Sequence, residues 1–237
     1  TNTYTGLTDL TEGNLTITNA SALGTTAGGT QIGTGTTLLI GANNLTIAEN
    51  ITSLRGTGSS NGGAIRNTFS NTVWDGSIAL GSGGGNINSH GSLTINGNIT
   101  GTGQPLTLVG SGTMTINGNI LTGASGSLTK DAQGGTFTIA GTGNDYTGAT
   151  TVQGGTLKIG NPNSLPTTTT IDVASGAFFD LNGNAQSIVG FGTGTGTVRN
   201  TGSLNTLTVT GASTFNGLLS GTSLSLTKST SGTLTLG

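Results

Sequence analysis

Two short segments, Leu93-Thr94-Ile95-Asn96-Gly97-Asn98-Ile99 and Met114-Thr115-Ile116-Asn117-Gly118-Asn119-Ile120, repeat one pattern at an offset of 21. Each alternates apolar and polar residues, the period of a half-buried strand, and then breaks at Asn-Gly-Asn, a turn former. A parallel β-helix spends about this length of chain on one turn, so that equivalent residues stack about 4.8 Å apart along its axis. Further alternating runs, such as Phe137-Thr138-Ile139, Leu157-Lys158-Ile159 and Leu234-Thr235-Leu236, are equally short. Strands of three to five residues suit a sandwich poorly, and self-similarity at a fixed period favours a solenoid.

Glycine supplies 46 of the 237 residues, proline 3, and charged residues only 6%. Gly costs about 1 kcal/mol in a helix interior relative to Ala, so almost no α-helix is expected. Disordered chains combine low hydrophobicity with high net charge, whereas here the net charge is −2 and Leu, Ile and Val recur throughout. The expected fold is therefore all-β: one right-handed parallel β-helix of ten to twelve coils, about 5 nm long at about 4.8 Å per coil.

A second level of repetition divides the chain. Tyr146-Thr147-Gly148 and Gly155-Thr156-Leu157-Lys158-Ile159 match Tyr4-Thr5-Gly6 and Gly13-Asn14-Leu15-Thr16-Ile17, both at an offset of 142. Gly176, Phe179, Leu181, Asn184 and Ile188 match Gly35, Leu38, Ile40, Asn43 and Ile47 at an offset of 141. Leu128-Thr129-Lys130 leads through Thr136-Phe137-Thr138-Ile139 to Tyr146, whereas Leu226-Thr227-Lys228 leads through Thr233-Leu234-Thr235-Leu236 to Gly237. What should follow is found at Thr1-Asn2-Thr3-Tyr4. Residues 1–237 thus read as one solenoid of two unequal sub-repeats, 128–225 and 226–237 joined to 1–127. Neither end differs from an interior coil, so both are expected to be uncapped, with Thr1, Asn2, Thr3, Tyr4, Leu234, Leu236 and Gly237 carrying the continuation from one copy into the next.

The Leu-Thr-Lys lead, the Thr-Phe-Thr-Ile and Thr-Leu-Thr-Leu strands, the Asn-Asp-Tyr-Thr-Gly turn at Asn144 to Gly148 and the Gly-Gly-Thr-Leu at Gly154 to Leu157 resemble the autotransporter-associated β-strand repeat, also called the passenger-associated transport repeat. The resemblance covers about a third of the chain well, from Leu128 to Leu165 and, in permuted order, from Leu226 to Gly237 and Thr1 to Gly24. It implies a β-helical stalk at a bacterial surface or in the extracellular space. No stretch here looks like the translocator barrel that accompanies autotransporters.

The inventory for catalysis is thin. The eight acids, Asp9, Glu12, Glu49, Asp75, Asp131, Asp145, Asp172 and Asp180, are scattered, and no nucleophile with a matching base can be assembled. His90 is the single histidine, there is no cysteine, and no metal set or cofactor motif follows from either. Six basic residues against eight acids make no nucleic-acid surface. No run approaches the roughly 18 apolar residues of a membrane span, so no membrane insertion is expected of this segment. Arg66 with Arg199, and Lys130 with Lys228, occupy equivalent places and read as solvated strand ends.

Three motifs remain. Asn96, Asn98, Asn117, Asn119, Asn182 and Asn184 could form ladders of side-chain amides between stacked turns. Trp74 and Asp75 fall in a stretch, Ser59 to Ile87, that the other sub-repeat lacks; they read either as an exposed lateral or binding insert or as an aromatic plug in a widened coil. Thr-x-Thr occurs at 113–115, 136–138, 206–208 and 233–235, as on the ice-binding faces of some solenoids, but offsets of 23, 70 and 27 do not place it on every coil.

The sequence accordingly points to a non-enzymatic structural unit of a filament or cell-surface stalk whose partner is another copy of itself, joined head to tail or bundled sideways. The alternative is an adhesin that uses the 59–87 insert to hold a host or cell-surface ligand.

Overall fold

A computed structural model describes residues 1–237. The short alternating runs become 28 strands, and the only helical segment is a 3-10 turn at Ser59–Asn61. Every strand pair is parallel, and the chain winds as a β-solenoid of about 11 turns. Each coil has three sides. The first face begins with Thr8–Leu10, Thr30–Ile32 and Ile51–Gly56, and the second with Asn14–Ile17, Thr37–Ile40 and Ile65–Asn67. The third runs from Thr46–Ile47 and Thr72–Trp74 through Ser92–Ile95, Thr113–Ile116 and Thr136–Ile139 to Leu218–Ser220. One strand is much longer than the sequence suggests: Ile78–Ser89 turns the corner through its glycines and serves both the first and second faces.

Inward residues stack in columns. On the second face Leu38, Ile65, Ile87 and Leu108 lie in register, followed by Lys130, Val152 and Val173. On the third face Ile47, Trp74, Ile95, Ile116, Ile139 and Ile159 do the same. These columns merge into one core of 42 buried residues running the length of the molecule. Burying each such side chain contributes about 1.5–3 kcal/mol, so the cross-section is held by apolar stacking and the rise by ladder hydrogen bonds.

Close stacking at one corner requires glycine. A Cβ on Gly97 would lie 1.9 Å from the Gly76 carbonyl oxygen, and one on Gly118 would lie 2.1 Å from that of Gly97. The glycine of Asn-Gly-Asn is therefore set by the coil beneath, because any side chain there would drive adjacent coils apart.

At the ends, Thr8–Leu10 and Asn14–Ile17 pair only with the following coil, and Leu224–Lys228 and Leu234–Leu236 only with the preceding one. Their outer edges carry no further strand.

Candidate functional site

The residues singled out by chemistry do not converge. No group of three or more His, Cys, Asp or Glu side chains is placed to hold a metal ion. His90 Nδ1 lies 3.0 Å from Ser111 Oγ on the next coil. Asp172 accepts from Gly194 N, while Asp180 is fully buried and accepts from Arg199 Nε at 3.2 Å, Thr201 Oγ1 at 2.8 Å and Asn182 N at 2.9 Å. Asp180 is thus a corner tie, and Arg199 also lies 4.2 Å over the Phe178 ring. The largest concavity, about 340 Å³ beside the N-terminal coil, contains one ionisable side chain, Glu49. Glu49 is buried and accepts from Thr30 Oγ1 at 2.9 Å; burial pushes its carboxyl above the usual range, and no second acid or base faces it there.

One alternative is decided and one expectation needs correction. Trp74 is 1% exposed and stands in the inward third-face column between Ile47 and Ile95, so of its two readings the aromatic plug holds and the lateral or binding contact does not. The alternation Thr72-Val73-Trp74-Asp75 sends the indole inward and its neighbour outward: Asp75 is exposed and accepts from Asn96 Nδ2 at 2.7 Å. Nor does the 59–87 stretch project as a module. It contains the Ser59–Asn61 turn and then ordinary strands of the third and fourth coils.

The correction concerns Lys130, which is fully buried rather than solvated. Period-two alternation puts it on the same side as Leu128, and its stem continues the Ile87–Leu108 column. The ammonium donates to the main-chain oxygens of Asp131 at 3.0 Å and Gln133 at 2.6 Å, to Asp131 Oδ1 at 3.3 Å, and lies 4.6 Å from the Phe137 ring centre. Burial holds its pKa below the ordinary lysine value despite the neighbouring carboxylate. Lys228 repeats the arrangement, donating to the main-chain oxygens of Thr210 and Thr230. In both sub-repeats the lysine that ends Leu-Thr-Lys thus satisfies turn carbonyls from inside the corner. Arg66 is half-buried, with its Nε enclosed and unpartnered.

Four of the six ladder asparagines meet. Asn117 Nδ2 donates to Asn96 Oδ1 at 2.8 Å, extending a chain that starts at Asp75, and Asn119 N donates to Asn98 Oδ1 at 2.9 Å. Asn182 and Asn184 lie on a later coil, where both donate to the Ile159 carbonyl. Asn182 also has a positive φ of 50°, so the same three letters fold into a different turn there.

The residues assigned to end-to-end continuation lie on or beside the first and last coils. Asn2 is tied to the third side of the first coil by its Nδ2 on Ala22 O at 2.7 Å and its main-chain N on Ser21 O at 3.2 Å, while Thr1 and Thr3 are exposed. Gly237 N donates to Phe215 O at 3.0 Å. The large apolar residues left exposed are Tyr4, Leu7, Leu218 and Leu236, at 43%, 49%, 59% and 53%, on the first coil or the last strands of their faces, and Leu204, at 70%, at a corner one coil in from the end.

The chain has three kinds of possible relative: protein-family models, curated proteins and solved structures. None matches.

Proposed function

We propose that this chain is a non-enzymatic structural unit of a β-solenoid filament or stalk, in which the last coil of one copy templates the first coil of the next. The observation that carries this reading is the phase of the two sub-repeats. Thr8–Leu10 lies on the first face of the first coil, while its equivalent Thr150–Val152 lies on the second face of the seventh, an advance of six turns and a third. Leu128-Thr129-Lys130 lies on the second face of the sixth coil, while its equivalent Leu226-Thr227-Lys228 lies on the first face of the eleventh, an advance of four turns and two thirds. The fractions complement each other. A copy following Leu234–Leu236 would place its Tyr4 at the third-face position and its Thr8–Leu10 on the first face, so all three faces continue without rotation.

The likeness of the Leu-Thr-Lys, Tyr-Thr-Gly and Gly-Gly-Thr-Leu segments to autotransporter-associated repeats favours a bacterial surface or extracellular setting. Recognition by the 59–87 stretch is the weaker reading, because of its two aromatic residues Trp74 is inside the core and Phe69 is half-buried.

Two copies fused directly, Gly237 to Thr1, test the proposal. The downstream Tyr4 should become protected from nitration, and the fusion should unfold in one transition at higher denaturant than the single copy. A downstream Tyr4 as reactive as the upstream one, with the copies unfolding independently, overturns it; so does equal protection in a fusion carrying an extra segment at the join long enough to fill about a third of a turn.

A further inference from the structure

We propose that the third face of the fourth to sixth coils is an ice-binding surface. The Thr-x-Thr spacings in the sequence argue against this use, but the strand register changes that judgement. Thr113–Ile116 and Thr136–Ile139 are neighbours with Thr113 on Thr136 and Thr115 on Thr138. Ser92–Ile95 lies on their other side with Ser92 on Thr113 and Thr94 on Thr115. The unequal coil lengths on the two sides are absorbed at the corners, and the strands themselves stay aligned. Two columns of hydroxyls result: Ser92, Thr113, Thr136 and, beside them, Thr94, Thr115, Thr138.

Three properties suit this array to a water lattice. Its repeat is fixed by the sheet, about 4.8 Å between coils and about 6.6 Å between residues two apart on a strand. Both distances approach spacings between water oxygens on a prism face of ice. Next, the hydroxyls are available: these residues are exposed or half-buried, and their further hydrogen bonds are made by main-chain atoms, as in Asn67 Nδ2 to Ser92 O and Ser89 Oγ to Thr113 O. The β-branch of Thr holds its hydroxyl and methyl in few rotamers, so little order must be gained on contact. Finally, the array carries no charge. It is bounded by Val73 below Thr94 and by Lys158 above Thr138, and inward Leu93, Met114 and Phe137 with the isoleucine column support it rigidly from beneath.

The experiment grows a single ice crystal in a solution of the whole chain, measures the gap between melting and freezing, and asks whether fluorescently labelled protein is taken into the ice. The parent chain should facet the crystal, open a measurable gap and be overgrown. Thr115→Tyr, which breaks the flat array, and Thr115→Val, which keeps the shape but removes the hydroxyl, should both reduce the gap, the former to that of buffer. Thr151→Tyr, outward on the second face, should match the parent. Circular dichroism of each variant separates loss of the array from loss of the fold. An unfaceted crystal that excludes the parent protein overturns the proposal, as does a folded Thr115→Tyr with parental activity. Retention on crystalline polysaccharide without any effect on ice overturns it as well.

Discussion

Tyr146 and Thr150 share a hydrogen bond of 2.7 Å, and Tyr4 and Thr8, their equivalents in the other sub-repeat, share one of 2.6 Å. Tyr146 is wholly buried and Tyr4 is 43% exposed. The local structure is therefore made by the repeat itself, and what differs is whether a neighbouring coil covers it.

Tyr146→Phe should cost about 1 kcal/mol, the net worth of one buried hydrogen bond, whereas Tyr4→Phe in a single copy should change the urea midpoint little. Burial raises the Tyr146 phenol well above its ordinary value of 10.0. A raised pKa here means that the native state resists losing the proton, so its contribution is intact below pH 10 and is lost as pH climbs further. Denaturant melts of the parent should weaken above about pH 10, and Tyr146→Phe should lessen that decline.

Lys130 predicts the opposite slope at lower pH. Its folded pKa lies below 10.5, so over the interval up to 10.5 the unfolded chain binds the extra proton and stability rises with pH. Lys130→Met should flatten this rise, and its effect at neutral pH should stay within about 2 kcal/mol, because the carbonyls lose their donor while a buried charge is removed. Melts from about pH 7 to about pH 10 in both proteins measure the difference.

Gly97→Ala should destabilise the fold severely, by about 3 kcal/mol or more, as its methyl would meet the Gly76 carbonyl at 1.9 Å and cannot be relieved without parting two coils. Gly134→Ala, where nothing lies within 4 Å, should be neutral or slightly stabilising. Equal midpoints for the two variants would remove glycine stacking from the account of this corner.

Ile116→Asp should unfold or nearly unfold the chain, since an unpaired carboxylate in the core costs several kcal/mol, and Thr115→Asp should be far milder. Adjacent residues thus report opposite faces of one strand in a thermal melt.

Trp74 offers an optical check. Its emission should be blue-shifted and insensitive to iodide, and Trp74→Ala should cost about 3–5 kcal/mol through the cavity left among Ile65, Ile78 and Leu93. Ready quenching by iodide would contradict its core position.

The solenoid was legible because period-two alternation and a sequence repeat of one coil each constrain one dimension of the same object. Lys130 was equally legible by alternation with Leu128, but its charge argued for solvent; the deciding factor, a set of turn carbonyls within reach of the ammonium, exists only once the corner is folded. Trp74 belonged to an apparent insert because the sub-repeats were aligned by residue number, whereas coils of unequal length still stack strand on strand. The hydroxyl array was missed for the same reason: Ser92 breaks the Thr-x-Thr spelling without breaking the column. Of the Asn-Gly-Asn turns, the third departs because Asn182 takes a left-handed backbone, a choice imposed by its corner.

The parallel ladders have a mechanical meaning. Every strand runs around the axis, so every interstrand hydrogen bond points along it. A pull on the two ends loads these ladders one coil after another, and each coil holds only its neighbours. Such a rod should yield to axial tension by peeling turn by turn at a nearly constant force, lengthening greatly as it does so, while compression or bending meets a continuous packed core.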